Sequence, residues 1–159
     1  MSFAIPATLL ALLAVAVPTK TTAQSVPNLS GTWVLQVEKS DFGALPALTS
    51  RTDVFAHQEP QLTITRKIQS AGSETTSTLV YAVDGKPYKN MAGGSELTST
   101  LKWEGQTLVM VTTVSNPQGE ATITDRYTLA ADGTTLTQVR MVVVQGQELK
   151  QTLLLARQP

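Results

Sequence analysis

The chain contains no cysteine, and this absence sets the first limits on the fold. No disulfide can form, so the folded state must depend on its apolar core, and no cysteine is available to carry a bacterial lipid anchor. The chain also has a single histidine, His57. A metal site takes three or four ligands, and His57 with Glu59 would supply only half of one. We therefore predict no metal site or cofactor, and we expect His57 to be a solvated residue at the end of a strand.

The chain also lacks an excess of charge of either sign, because 12 Lys and Arg residues balance 12 Asp and Glu residues. Binding to nucleic acid or to an anionic membrane surface calls for a basic patch. The composition therefore argues against both kinds of partner.

No apolar run is long enough to span a bilayer, which takes about 20 residues. The nine-residue run Leu9–Val17 has the length of a signal-peptide core instead. Pro18 ends this run, and Thr21 and Ala23 place small residues where a signal peptidase reads them. We expect residues 1–23 to be a signal peptide cleaved after Ala23, so that the product is exported to the periplasm or the extracellular space. The alternative, a buried N-terminal helix, is disfavoured because neither capping residues nor a polar face accompany the run.

The mature chain would be one domain of 136 residues (159 less 23), residues 24–159, which is large enough for a substantial core. Residues 1–23 carry Lys20 as their one charged side chain, so 11 basic against 12 acidic groups would remain. The mature chain has 20 threonines, and Val, Leu and Ile supply most of its apolar residues. Thr, Val and Ile favour strands over helices. No segment after Gly31 shows a sustained helical period, so the composition predicts an all-β protein.

Nine segments read as strands, separated by turn residues such as Asp84-Gly85 and Asp132-Gly133. They are residues 31–38, 51–58, 61–69, 74–83, 95–104, 106–115, 120–130, 134–145 and 148–157. Residues 39–50 are expected to be a loop that holds one helical turn or covers one barrel mouth, and residues 86–94 are expected to be irregular. Short connections make sequential strands antiparallel neighbours. A long meander hides its edges by closing, so we predict an antiparallel up-and-down meander that closes into a barrel of 8–10 strands.

The segment Gly31-Thr32-Trp33 resembles the Gly-x-Trp opening of the lipocalins and their avidin-like and fatty-acid-binding relatives. From Asn28 to its end, the chain resembles small exported bacterial proteins with a lipocalin-like barrel. The resemblance implies that Trp33 closes the base of the barrel. It also implies that Arg157, at the end of the last strand, packs across the indole ring as a cation–π contact.

Charged residues interrupt three strand faces that are otherwise apolar. They are Arg66 among Leu62, Ile64 and Ile68; Asp125 between Ile123 and Tyr127; and Arg140 on the face of Leu136 and Val142. Charges on an apolar wall are costly unless they are paired. One interpretation is a polar anchor in a cup, where Arg66, Asp125, Tyr127 and Arg140 bind an apolar, carboxylate-bearing ligand. The other is an internal salt bridge or a charge that reaches water. Tyr127 and Trp103 are also read as core residues.

Two functions follow from these patterns. The first is a non-enzymatic binding protein for a small, partly apolar and anionic ligand. The second is a structural or interaction domain with a packed interior, which the strands that are apolar on both faces (residues 107–114 and 139–144) favour. An isomerase or hydrolase has no named residues to support it, because no nucleophile elbow and no carboxylate pair is present. A cavity of roughly 300 Å³ or more, lined by the inward faces, would favour ligand binding.

Overall fold

A computed structural model describes residue 1, residues 25–116 and residues 119–159. The expected signal peptide and its cleavage site lie, apart from residue 1, outside the described residues. No helix in the described part of the chain is long and apolar enough to cross a membrane.

Ten antiparallel strands form a single sheet. Each strand pairs with the next along the chain, except that β4 and β5 do not pair with each other and are the two edges of the sheet. The first strand also pairs with the last through Trp33 and Arg157, which closes the sheet on this side. The strands are β1 Gly31–Leu35, β2 Ser50–Gln58, β3 Gln61–Ser70, β4 Ser73–Ala82, β5 Pro87–Ala92, β6 Ser95–Glu104, β7 Thr107–Asn116, β8 Gly119–Leu129, β9 Thr135–Val144 and β10 Gln147–Arg157. The prediction of an all-β meander forming a barrel of 8–10 strands is confirmed.

The expectation that residues 86–94 are irregular is wrong, because β5 lies there and pairs with β6 from Pro87↔Thr100 to Ala92↔Ser95. Its side chains alternate between half-buried and exposed, but polar and apolar types are mixed on both faces. A search for apolar alternation therefore misses this strand.

β1 is shorter than expected, because it ends at Leu35 and a 3₁₀ turn follows at Val37–Lys39. The chain then pairs Asp41 with Thr152 of β10 and reaches β3, where the Thr49 amide donates to the Gln69 carbonyl. We call the end of the barrel at which β10 begins the mouth. Residues 36–49 thus cross one side of this mouth. The opposite end, where β1 begins and β10 ends, is the base.

Alternate side chains of every strand point into the barrel, and their chemistry changes along its axis. Those near the base form a fully or almost fully buried apolar core: Trp33, Leu35, Phe55, Leu62, Tyr81, Leu101, Leu108, Tyr127, Leu136 and Leu155. Those nearer the mouth include the charged groups that the sequence singled out. The packed base therefore positions a polar upper interior.

Candidate ligand-binding site

The base is closed by Trp33, whose side chain is fully buried. Its indole N–H donates to the Leu29 carbonyl (2.9 Å), and the Arg157 guanidinium carbon lies 4.4 Å from the ring centroid. Arg157 also donates to the carbonyls of Ser30 and Gly133. Gly31 has a backbone φ of +134°, and a Cβ there would lie 2.9 Å from Arg157 Nη1. The positive φ therefore favours glycine here, and the missing Cβ leaves room for the Arg157 guanidinium, which gives the Gly-x-Trp segment a physical reason.

His57 is buried, so the expectation of a solvated histidine is wrong. Its Nδ1 accepts the Leu29 amide (3.1 Å), and its Nε2 lies 2.8 Å from Glu59 Oε1, which also accepts the Trp103 indole N–H. His57 therefore holds the segment before β1 against the base. In the described part of the chain, no three His, Cys, Asp or Glu side chains are grouped to hold a metal ion.

The upper interior contains a first carboxylate that the sequence analysis did not single out, Asp53 of β2. It is fully buried between two guanidinium groups, with Arg66 Nε at 2.9 Å and Arg51 Nε at 3.1 Å. Arg66 also donates to the Tyr127 hydroxyl (3.3 Å). The sequence did contain a signal for this part of the site. Arg51 and Asp53 alternate along the strand with the buried Phe55, so all three side chains lie on the same face of β2.

The second carboxylate is Asp125, which is also buried. Its two oxygens accept from Nε and Nη2 of Arg140 at 2.8 and 2.9 Å, and Oδ1 accepts from the Gln138 amide at 2.7 Å. Arg66 and Arg140 are thus each held side-on by one carboxylate, as in the salt-bridge interpretation. In the described part of the chain, the Nη1 nitrogens of Arg66 and Arg140 take part in no hydrogen bond.

These contacts keep the two buried carboxyls, Asp53 and Asp125, in their ionised form. Burial alone would raise the pKa of Asp53, but Arg66 and Arg51 outweigh it and hold that pKa well below its usual range. Burial would likewise raise the pKa of Asp125, and Arg140 reverses the shift to a lowered pKa. Three arginines then face two carboxylates: Arg51, Arg66, Arg140, Asp53 and Asp125. The described upper interior therefore carries one net positive charge.

Two adjacent cavities, which share part of their lining, lie beside this cluster. The outer cavity, about 330 Å³, is open to solvent and is lined by Arg66, Ile68, Thr75, Ser77, Leu79, Ala92, Gly93, Leu97, Ile123 and Arg140. The inner cavity, about 60 Å³, shares five of these residues and adds Ile64, Tyr81, Met110, Thr112 and Asp125. Burial raises the pKa of Tyr81 to about 12, so its hydroxyl stays protonated. The outer volume lies at the low end of the range for small-molecule pockets.

The predicted ligand-binding residues divide into two groups. Arg66 and Arg140 line both cavities, and Asp125 lines the inner one. Tyr127 lines neither, because it is fully buried beneath Arg66 and packs edge-on against Phe55. Tyr81 is the tyrosine at the inner cavity, and the sequence analysis did not assign it to the site.

Comparison with known proteins places the fold. No protein-family model and no curated protein matches this sequence. Among solved structures, the barrel is similar to a secretary abundant heat soluble (SAHS) protein from Ramazzottius varieornatus, solved from a dimer sample. The TM-score is 0.61 at 13% identity, and the alignment covers 81% of this chain and 94% of that one. The chain has a lipocalin-like β-barrel fold. At this identity the likeness shows the fold alone.

Proposed function

We propose that this protein binds a compact, partly apolar anion in the upper half of its barrel. The observation that carries the proposal is the cavity of about 330 Å³ beside the guanidinium groups of Arg66 and Arg140. Its wall is otherwise largely apolar, with Ile68, Leu79 and Ile123 among the lining residues. A pocket with an apolar wall and a few convergent polar groups is the usual form of a small-molecule site.

The charge of the cluster favours an anion. Each carboxylate holds an arginine through Nε and Nη2, so the Nη1 groups remain as donors. Because the described cluster carries one net positive charge, a carboxylate on the ligand would neutralise it. Arg donors suit carboxylates because the guanidinium can present parallel N–H groups. A carboxylate on a single ring or on a medium-length alkyl chain fits both the volume and the charge.

The alternative of a packed structural domain gains little support from the structure. It rested on strands that are apolar on both faces, but the outward Val109 is already buried. Its register neighbours are Lys102 and Arg126, whose alkyl stems can cover it while both head groups pair with Glu104. The apolar outer face at this point therefore needs no partner protein.

The proposal is tested by titrating octanoate into the protein in a calorimeter. Arg140→Met keeps much of the bulk and removes the charge, so octanoate should bind at least tenfold more weakly, about 1.4 kcal/mol. Arg126→Met on the outer surface is the matched control and should bind like the wild type. 1-Octanol, which has the chain without the charge, should not distinguish Arg140→Met from the wild type. Equal octanoate binding by all three proteins, or none by any, would contradict the proposal.

We also propose that the protein is exported, with a binding rather than a catalytic role. Export is supported by the apolar run Leu9–Val17, Pro18 and the small residues Thr21 and Ala23. N-terminal sequencing of the protein recovered from the periplasm or medium of a bacterial host should begin at Gln24. Recovery of the chain with Met1 intact would contradict this proposal.

A further inference from the structure

Among the described strands, the sheet edges β4 and β5 are neighbours in the barrel that share no backbone ladder, which leaves a seam between them. One side chain makes hydrogen bonds across this seam. Asn90 of β5 accepts the Val80 amide N–H through Oδ1 (2.8 Å) and donates from Nδ2 to the Val80 carbonyl (3.1 Å). The carboxamide thus supplies the donor and acceptor that a paired strand would supply. In the described part of the chain, Asn90 is the residue whose hydrogen bonds join β5 to β4.

The outer cavity lies beside this seam on its mouth side. Thr75, Ser77 and Leu79 line it from β4, and Ala92 and Gly93 line it from the end of β5 and the turn that follows. These two groups of residues belong to the strands that share no ladder. The wall between them is therefore the part of the barrel that can separate without breaking sheet hydrogen bonds.

The opposite side of the mouth is held more firmly. Residues 36–49 are bound there through Asp41 and Thr152, which exchange backbone hydrogen bonds, and through Thr49 and Gln69. None of the residues lining the two cavities comes from residues 36–49. A ligand that entered from this side would have to displace that segment and pass the buried Arg51 and Asp53.

The outer surface at the seam is also suited to an amphipathic ligand. Val80 is 52% exposed and Met91 is 61% exposed, and they lie on the outward faces of the two strands that flank the seam. The other exposed outward side chains of these two strands include Glu74, Thr76, Thr78 and Lys89, so Val80 and Met91 are the large apolar groups on this part of the surface. They give an approaching alkyl or aromatic group a first apolar contact.

We propose that the ligand enters and leaves between β4 and β5, and that the Asn90 carboxamide is the latch that limits this exchange. The inference rests on the proposed binding function, because it concerns the route to the same cavity. Asn90 lines neither cavity, so its role is in the rate of exchange and not in contact with the bound ligand.

The test is ¹⁹F exchange spectroscopy of 8-fluorooctanoate, which gives the association and dissociation rates together with the Kd. Asn90→Ala removes both hydrogen bonds to Val80 and should raise both rates by roughly threefold to tenfold, the effect of losing two modest hydrogen bonds. The Kd should change by less than about twofold, since the bound state keeps its contacts. Asn90→Asp retains an acceptor for the Val80 amide but loses the donor, so it should give a smaller increase in the same direction and serves if the alanine variant folds poorly.

Lys89→Ala is the matched control, because Lys89 pairs with Glu96 within the β5–β6 hairpin and, among the described residues, forms no hydrogen bond or ion pair with β4. Its rates should equal those of the wild type. Unchanged rates in both Asn90 variants would overturn the inference while leaving the binding function intact. Faster exchange in Phe42→Ala but not in Asn90→Ala would instead place the entrance under residues 36–49. Failure of the wild type to bind the probe would remove the binding function and the entrance together.

Discussion

The base and the upper half of this barrel are built from the same ten strands, yet their interiors differ in kind. At the base, inward positions carry large apolar groups that fill the space, such as Trp33, Leu108 and Leu136. In the upper half they carry paired charges beside a cavity. Apolar burial is the dominant source of folding free energy, whereas buried ion pairs contribute little net stability because desolvation offsets their attraction. The base is therefore the region that stabilises the fold, and the upper half contributes little net stability.

The largest expected loss of stability comes from a substitution in the base. Trp33→Ala removes a fully buried aromatic side chain together with its cation–π contact to Arg157 and its hydrogen bond to Leu29. The free energy of unfolding should fall by about 3–5 kcal/mol, measured by urea denaturation. Trp103→Ala, at the only other tryptophan, should cost less because that residue is only half-buried. An equal loss at both positions would contradict the assignment of stability to Trp33.

A smaller loss is expected from Gly31, where the backbone conformation and the contact with Arg157 can be separated. Gly31 and Gly119 have nearly the same φ, +134° and +132°, but a Cβ at Gly119 meets nothing within 4 Å in the described part of the chain. Both alanine variants should be destabilised by about 1–3 kcal/mol through the unfavourable φ. Gly31→Ala should lose more, because its Cβ also displaces Arg157 from the ring of Trp33. Thermal or urea unfolding of the two variants measures the difference, and equal losses would show that Arg157 adjusts freely.

The sequence predicts the base better than the upper half, for a physical reason. Strand alternation follows from apolar burial, and the base is where burial is complete, so Gly31, Trp33 and Arg157 are found at the positions that the resemblance implied. β5 was not predicted because its inward face includes the polar residue Asn90. The Asn90 side chain forms hydrogen bonds across the seam and does not pack in the apolar core. Because polar and apolar side chains are mixed on both faces of β5, the strand shows no apolar alternation that a sequence search could detect.

The charged cluster was found in part. Arg66, Asp125 and Arg140 stood out because they interrupt apolar faces, whereas Arg51 and Asp53 begin a strand whose apolar pattern is carried by Phe55 alone. Which carboxylate pairs with which arginine depends on strand register, and a pattern along one strand does not give register. The two missed residues have opposite signs, so they leave unchanged the excess of one positive charge that Arg66, Asp125 and Arg140 give by themselves.

The smallest effect at neutral pH is expected from removing one ion pair of the upper half as a unit. Asp125→Asn with Arg140→Met leaves no unpaired charge at that position, so the double variant should be about as stable as the wild type at pH 7, or more so. Asp125→Asn alone leaves Arg140 without its carboxylate and should be the less stable protein. A large loss in the double variant would mean that the pair stabilises the fold in the way that the base does.

Low pH should reduce the contribution of the upper half to stability without changing that of the base. The pKa values of Asp53 and Asp125 are lowered in the folded protein, and a carboxyl with a lowered folded pKa contributes stability above its unfolded pKa, about 3.9. That contribution is lost as the pH falls toward the folded pKa. The free energy of unfolding of the wild type should therefore decline from about pH 5 downward. The double variant lacks the contribution of Asp125 and keeps that of Asp53, so its decline should be shallower, as measured by urea denaturation between pH 7 and pH 3. Trp33→Ala should shift the whole curve down without changing its slope, because Trp33 does not titrate. If the double variant and the wild type declined with the same slope, Asp125 would not be the carboxylate that Arg140 holds ionised.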